Sequence, residues 1–183
     1  MLKLNLGCGS TKIPGYVNID VEKKCKPDKV CNFLKEVLPF ENESCDEILL
    51  FHTIEHIRRV SHGFVLANIH RVLKKNGTFY VSFPEFRKCY ENWVTNKNGQ
   101  KGFWEATMFG RQLYPSDYHV VPMDSAEFGS TLLQIGFKDL IIRPEPEPNE
   151  FNTVISCKKG KPYLSYEQLV SSEIKRTFVK STR

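Results

Sequence analysis

The stretch "LKLNLGCGSTKIPGYVNID", residues 2–20, decides the fold. It opens with an alternating run, Leu2-Lys3-Leu4-Asn5-Leu6, that stops at Gly7. Pro14-Gly15 then precedes a second run, Tyr16-Val17-Asn18-Ile19, which ends in Asp20. Short apolar runs bounded by turn residues read as strands. Between these two lies Gly7-Cys8-Gly9-Ser10. A G-x-G at the C-terminal end of a strand lets the backbone approach a ligand closely, because no Cβ intervenes. The full dinucleotide fingerprint is absent, since Ser10-Thr11-Lys12 stand where a third glycine is required. An acid ending the neighbouring strand can accept hydrogen bonds from both hydroxyls of a ribose. Either feature alone is equally an ordinary turn. Together they point to a ligand that carries a nucleoside. The sequence has no Walker lysine motif, so a triphosphate is not indicated.

Outward from this stretch the pattern repeats. Residues 29–33, 47–51, 78–83, 138–142 and 151–157 read as five further strands. Val65, Leu66, Ile69, Val72 and Leu73 fall at helical spacing, and Lys74-Lys75-Asn76-Gly77 reads as that helix's end. A second helix starts at Ser125, carries Phe128, Leu132 and Ile135, and stops at Gly136. Strands alternating with helices imply a doubly wound, mostly parallel sheet. The last two strands are separated only by a loop holding Pro144, Pro146 and Pro148, which predicts an antiparallel C-terminal hairpin. The expected architecture is therefore an α/β, seven-stranded, Rossmann-like fold over residues 1–157. Residues 84–124 read as an irregular, aromatic insertion on the substrate side, holding Trp93 and Trp104.

Composition excludes several classes. At 183 residues and 40% hydrophobic content the chain can build one core of its own. No run of about 18 apolar residues suggests a membrane span, and the N-terminus lacks the apolar core of a signal peptide, so an intracellular, cytoplasmic protein is expected. The six cysteines form no C-x-x-C pair, and free thiols are expected. The net charge of +5 is confined to the end of the chain: residues 1–157 hold 19 basic and 19 acidic side chains, and residues 158–183 hold 7 and 2. A neutral body argues against nucleic acid as a partner. The basic tail, residues 158–183, carries a capping-box pair, Ser165 and Gln168, and reads as a C-terminal helix. Nothing in the sequence sets an oligomeric state.

Leu4-Asn5-Leu6-Gly7-Cys8-Gly9 and Gly15-Tyr16-Val17-Asn18-Ile19-Asp20 resemble the first motifs of class I S-adenosylmethionine-dependent methyltransferases. The likeness is closest to the short type called "predicted SAM-dependent methyltransferase". It continues through Leu38-Pro39-Phe40, Ser44-Cys45-Asp46-Glu47-Ile48, His52-Thr53-Ile54-Glu55-His56, and Arg71-Val72-Leu73-Lys74-Lys75-Asn76-Gly77. It returns at His119 and at Leu132-Leu133-Gln134-Ile135-Gly136-Phe137. The resemblance implies S-adenosylmethionine as cofactor and S-adenosylhomocysteine as product. It implies that Gly7, Cys8 and Gly9 pass under the methionine part and that Asp20 holds the ribose. Asn32 stands where the family often has an aspartate facing the adenine amino group, and Phe33 and Leu34 would pack on the ring. An amide oxygen can accept the same hydrogen bond.

His52-Thr53-Ile54-Glu55-His56 also reads H-x-x-E-H, the signature of a class of zinc peptidases. That chemistry requires two histidines on one helical face. Here the string straddles a strand end, so no metal is expected, and a zinc hydrolase is the remote alternative. His52, Glu55 and His56 instead become candidates for pocket lining or for starting a helix, and, behind His119, for the catalytic base. Asp117-Tyr118-His119 is the most polar cluster of the aromatic insertion, with His119 the candidate general base for an acceptor hydroxyl. The expected function is methyl transfer to a small-molecule or saccharide acceptor. The alternative from another class is a non-catalytic nucleoside-binding module.

Overall fold

The computed structural model describes residues 1–162. Seven strands form one sheet: β1 (Lys3–Leu6), β2 (Val17–Asp20), β3 (Lys29–Val30), β4 (Cys45–Phe51), β5 (Leu73–Pro84), β6 (Phe137–Pro144) and β7 (Asn152–Lys159). Their order is β3-β2-β1-β4-β5-β7-β6. β1, β2, β3, β4 and β5 pair in parallel, and β7 runs antiparallel between β5 and β6. The parallel sheet with an antiparallel C-terminal hairpin is therefore present. Leu4, Leu6, Ile19, Ile48 and Leu50 are fully buried, as central strands covered on both faces require.

Among the described residues, four α-helices accompany the sheet: α1 (Arg59–Val72), α2 (Phe86–Val94), α3 (Lys101–Phe109) and α4 (Ser125–Ile135). α1 and α4 pack together through the His62–Phe128 ring pair and an Arg59–Glu127 ion pair of 2.8 Å. The Asp124 side chain caps α4 by accepting from the Ala126 and Glu127 amides, and Gly136 ends it in the left-handed conformation. No α-helix links β1 to β2 or β2 to β3, so the strand ends in that half are bridged by loops and a 3-10 turn, Lys23–Cys25.

Three expectations are corrected. Residues 84–124 are not irregular: α2 and α3 form a two-helix cap with its own small core of Cys89, Trp104 and Met108, against which Phe86, Trp93 and Phe151 pack. Phe86, Cys89, Tyr90 and Trp93 fall at i, i+3, i+4 and i+7, the spacing that marks α2 in the sequence. The helix before β5 ends at Val72 rather than at Lys74-Lys75-Asn76-Gly77, where the chain is already extended. β7 continues past residue 157 to Lys159, whose buried ammonium donates to the Leu73 carbonyl at 2.8 Å. Of the basic tail and helix read over residues 158–183, residues 163–183 lie outside the described residues. All six cysteines are free thiols, and among the described residues no helix is long and apolar enough to cross a membrane.

Candidate active site

The strand order reverses on either side of β1, and open α/β sheets bind ligands in the crevice beyond the strand ends at such a point. A cavity of about 360 Å³ lies there, lined by Gly7 and Gly9 after β1, Asp20 at the end of β2, Asn32, Phe33 and Leu34 after β3, and His52 and Thr53 after β4. Gly7 has φ +68°, and a Cβ on it would sit 2.4 Å from Thr53 Oγ1. Only glycine satisfies both the left-handed backbone and the approach of the β4 lip.

The Asp20 carboxylate organises the turn it faces. It accepts from the Gly9 amide at 2.7 Å and the Glu22 amide at 2.8 Å. Two oxygens offer about four lone-pair sites, so two remain for a ligand diol. Asn32 faces the same cavity, with Oδ1 accepting from the Leu34 amide at 3.3 Å. A strand-end carboxylate, an amide and the apolar Phe33 match the ribose, polar edge and ring of an adenosine. Cys8 is the exception among the residues expected here. It does not line the cavity: its amide donates to the Ile19 carbonyl, its side chain is buried, and burial pushes its thiol pKa up.

A second cavity, of about 300 Å³, adjoins the first. His52, His56, Arg111 and Asp117 line both. His119, Phe103, Gly110, Phe151 and Asn152 complete the second. His52 leaves β4 with φ +46°, and Ile54–His56 form one 3-10 turn. The two histidines of H-x-x-E-H thus share no helical face. His52 lies between two carboxylates, 3.6 Å from Glu55 and 3.5 Å from Glu145. Burial lowers its pKa, but those carboxylates outweigh burial and leave it above the ordinary histidine value. His56 turns the other way, edge-on to His119 with ring centroids 4.7 Å apart.

Two hydrogen bonds join the turn to the segment carrying His119, and a third ties that segment to the end of α3. The Val120 amide donates to the Glu55 carbonyl at 2.9 Å, the His119 amide donates to the Phe109 carbonyl at 3.1 Å, and His56 Nδ1 lies 3.0 Å from the Tyr118 carbonyl. Gly110 makes the crossing possible, because a Cβ there would sit 1.7 Å from the Asp117 carbonyl oxygen. Burial holds the His119 pKa below its ordinary value, which keeps the ring neutral with a lone pair available. Beneath it, the Glu55 side chain is 1% exposed, and neither carboxylate oxygen has a hydrogen-bond partner.

Of the residues expected from sequence, all but Cys8 and Glu55 line one of the two cavities; Glu55 is buried and reaches neither lining itself, standing behind His52, His56 and His119. Sequence reading missed Thr53, Arg111, Gly110 and Glu145. Thr53 and Gly110 matter through steric fit with distant segments, and Glu145 arrives from the far end of β6, so no local pattern marks them.

Residues 16–81 match the protein family described as "Methyltransferase domain". No curated protein sequence matches the chain. Among solved structures, a methyltransferase from Methanosarcina mazei is 15% identical with TM-score 0.58, the alignment covering 86% of this chain and 91% of that one. One from Archaeoglobus fulgidus is 14% identical with TM-score 0.61, covering 86% and 85%. Human N-acetylserotonin methyltransferase, solved with S-adenosylmethionine, is 14% identical with TM-score 0.58, covering 87% of this chain and 48% of that one. The structures establish the fold, and the domain match adds the activity class. Residues 16–81 thus carry a methyltransferase domain, and the fold of the chain is one it shares with S-adenosylmethionine-dependent methyltransferases.

Proposed function

We propose that the chain methylates a hydroxyl of a small molecule, such as a saccharide or another hydroxylated metabolite. The observation that carries this reading is the meeting of two cavities at His52 and His56. The donor occupies the first, with Asp20 on the ribose hydroxyls, Asn32 at the adenine edge, Phe33 on the ring, and the Gly7–Gly9 turn beneath the methionine part. The methyl group then points toward the junction. The second cavity holds the acceptor against Phe103 and Phe151, whose ring faces suit the apolar side of a sugar.

Transfer needs the acceptor oxygen in line with the S–CH3 bond, and positioning alone supplies much of the rate. A hydroxyl must also lose its proton, unlike an amine with a free lone pair. The cluster of His52, Glu55, His56 and His119 orients that hydroxyl and promotes the loss of its proton. Its concentration of basic groups at the junction is what favours oxygen as the methylated atom. The sulfonium loses its charge as the S–C bond breaks, leaving S-adenosylhomocysteine. The test is incubation with methyl-labelled S-adenosylmethionine and a panel of mono- and oligosaccharides, polyols and phenols, with products identified by mass spectrometry. Label on a panel hydroxyl is expected. Label only on protein, nucleic acid or an amine overturns the acceptor class.

A further inference from the structure

Glu55 poses the problem. A carboxylate buried to 1% exposure with two unpartnered oxygens is costly, because a buried charge needs a countercharge or hydrogen bonds. His52 approaches only to 3.6 Å and is itself shared with Glu145. On the open side of Glu55 stand two imidazoles. One ligand atom from each of Glu55, His56 and His119 lies within 4.8 Å of the others.

We propose that Glu55, His56 and His119 hold a divalent first-row transition-metal ion that binds and activates the acceptor hydroxyl. The proposal rests on the methyl-transfer reading of the acceptor cavity, and it replaces the sequence expectation of a metal-free pocket. It differs from the zinc-peptidase reading of the H-x-x-E-H string. His52 is not a ligand, and the third ligand comes from a segment 63 positions beyond His56.

Four observations support it. The donor set, two imidazole nitrogens and one carboxylate, suits zinc, cobalt, iron or manganese better than magnesium or calcium, which favour all-oxygen sites. His56 Nδ1 faces the Tyr118 carbonyl at 3.0 Å, so that nitrogen carries the proton and the Nε2 lone pair is free. Metal-bound histidines usually make this kind of outer hydrogen bond. The segment holding His119 is tied to the turn by the Val120–Glu55 backbone bond, so the three ligands are placed before any ion arrives. An ion with bonds near 2.1 Å sets its ligand atoms roughly 3–4 Å apart, and small side-chain rotations close the trio to that spacing. The trio opens onto the acceptor cavity, since His56 and His119 line it, and three protein ligands leave coordination positions for a substrate oxygen.

The chemistry balances without an oxidant or reductant. The ion takes the acceptor hydroxyl as a ligand and lowers its pKa, and the proton leaves to solvent. The metal-bound alkoxide attacks the methyl carbon as the S–C electron pair returns to sulfur. The products are the methyl ether, S-adenosylhomocysteine and one proton.

The test uses the untagged full chain, stripped with chelator and titrated with cobalt(II), followed by visible absorption and by calorimetry. One cobalt per chain is expected, displaced by zinc. Glu55→Gln and His119→Ala should each weaken it at least about tenfold while circular dichroism and S-adenosylmethionine affinity stay those of the wild type. His119 is only partly buried, so its variant stays informative if Glu55→Gln fails to fold. No saturable cobalt binding, or binding that His119→Ala leaves unchanged, overturns the metal site. So does full methyl transfer by the stripped protein. Failure of the untreated, folded protein to bind S-adenosylmethionine would instead overturn the methyl-transfer reading beneath it, which separates the two failures.

Discussion

The cavity proposed for the donor and the cavity proposed for the acceptor share His52, His56, Arg111 and Asp117, yet they are built by opposite means. The first is mostly backbone: strand ends, a glycine turn, and a carboxylate that accepts from the turn's own amides. The second is mostly side chains, delivered by a 3-10 turn, a two-helix cap, the segment around His119 and the loop after β6. The difference teaches how such a fold divides its tasks. Strand ends come with the sheet and present one donor site. The acceptor site is an addition whose residues can change without disturbing the sheet.

If that division is right, damage on the acceptor side should change turnover and spare donor binding. His119→Ala is expected to lower the methyl-transfer rate by about 10²–10⁴-fold, the scale for loss of a group on which deprotonation of the acceptor depends. Its S-adenosylmethionine affinity should stay within about twofold of wild type by calorimetry. An equal loss in both would break the comparison, because the two cavities would then be one cooperative unit.

Gly7→Ala probes the donor side. The added Cβ meets Thr53 Oγ1 at 2.4 Å on a backbone with φ +68°. The clash and the left-handed conformation together should lower stability by roughly 2–4 kcal/mol in urea titration. Gly7→Ala/Thr53→Ala should recover the steric part only. If the single variant is as stable as wild type, the turn is not held by the β4 lip.

His62 is buried under the 3-10 turn, with Nε2 2.9 Å from the Ile57 carbonyl, and burial lowers its pKa from 6.5 to about 4. The Ile57 carbonyl opposes that shift, and Arg59 and Glu127 also face the ring with opposite effects. The unfolded chain therefore binds this proton before the folded chain does. Stability is flat above about pH 6.5 and falls as the pH drops toward about 4. At about 1.4 kcal/mol per pH unit, the loss approaches about 3 kcal/mol. His62→Gln should flatten that part of the curve, read by urea titration at stepped pH. An unchanged curve would remove His62 as its cause.

The smallest expected effect sharpens the donor site. Asp20→Ala should weaken S-adenosylmethionine by roughly 1.5–3 kcal/mol, the range for hydrogen bonds to a charged group. Part of that loss reports the freed Gly9 and Glu22 amides rather than the ribose. Asp20→Asn keeps one acceptor oxygen and should fall between wild type and Asp20→Ala. Unchanged calorimetric affinity in a folded Asp20→Ala protein would take Asp20 out of the site.

The sequence by itself determined the sheet and the donor side. Leu4-Asn5-Leu6 into Gly7, and Val17-Asn18-Ile19 into Asp20, are local patterns: a strand's periodicity and the residue type its turn demands lie within a few positions of each other. The proline loop between β6 and β7 announced the antiparallel hairpin for the same reason. Only the tertiary structure decided the acceptor side. His56 meets His119 because Gly110 lets two loops cross and because backbone bonds tie Val120 to Glu55. Glu145 meets His52 because the hairpin returns its loop to the β4 lip. The same distance in sequence hid the H-x-x-E-H string's partner: its meaning depended on a positive φ at His52, which sent the two histidines to different neighbours. Periodicity and turn chemistry act over a few residues. Contacts between segments far apart in sequence depend on where the packed core places each loop, and no local pattern encodes that.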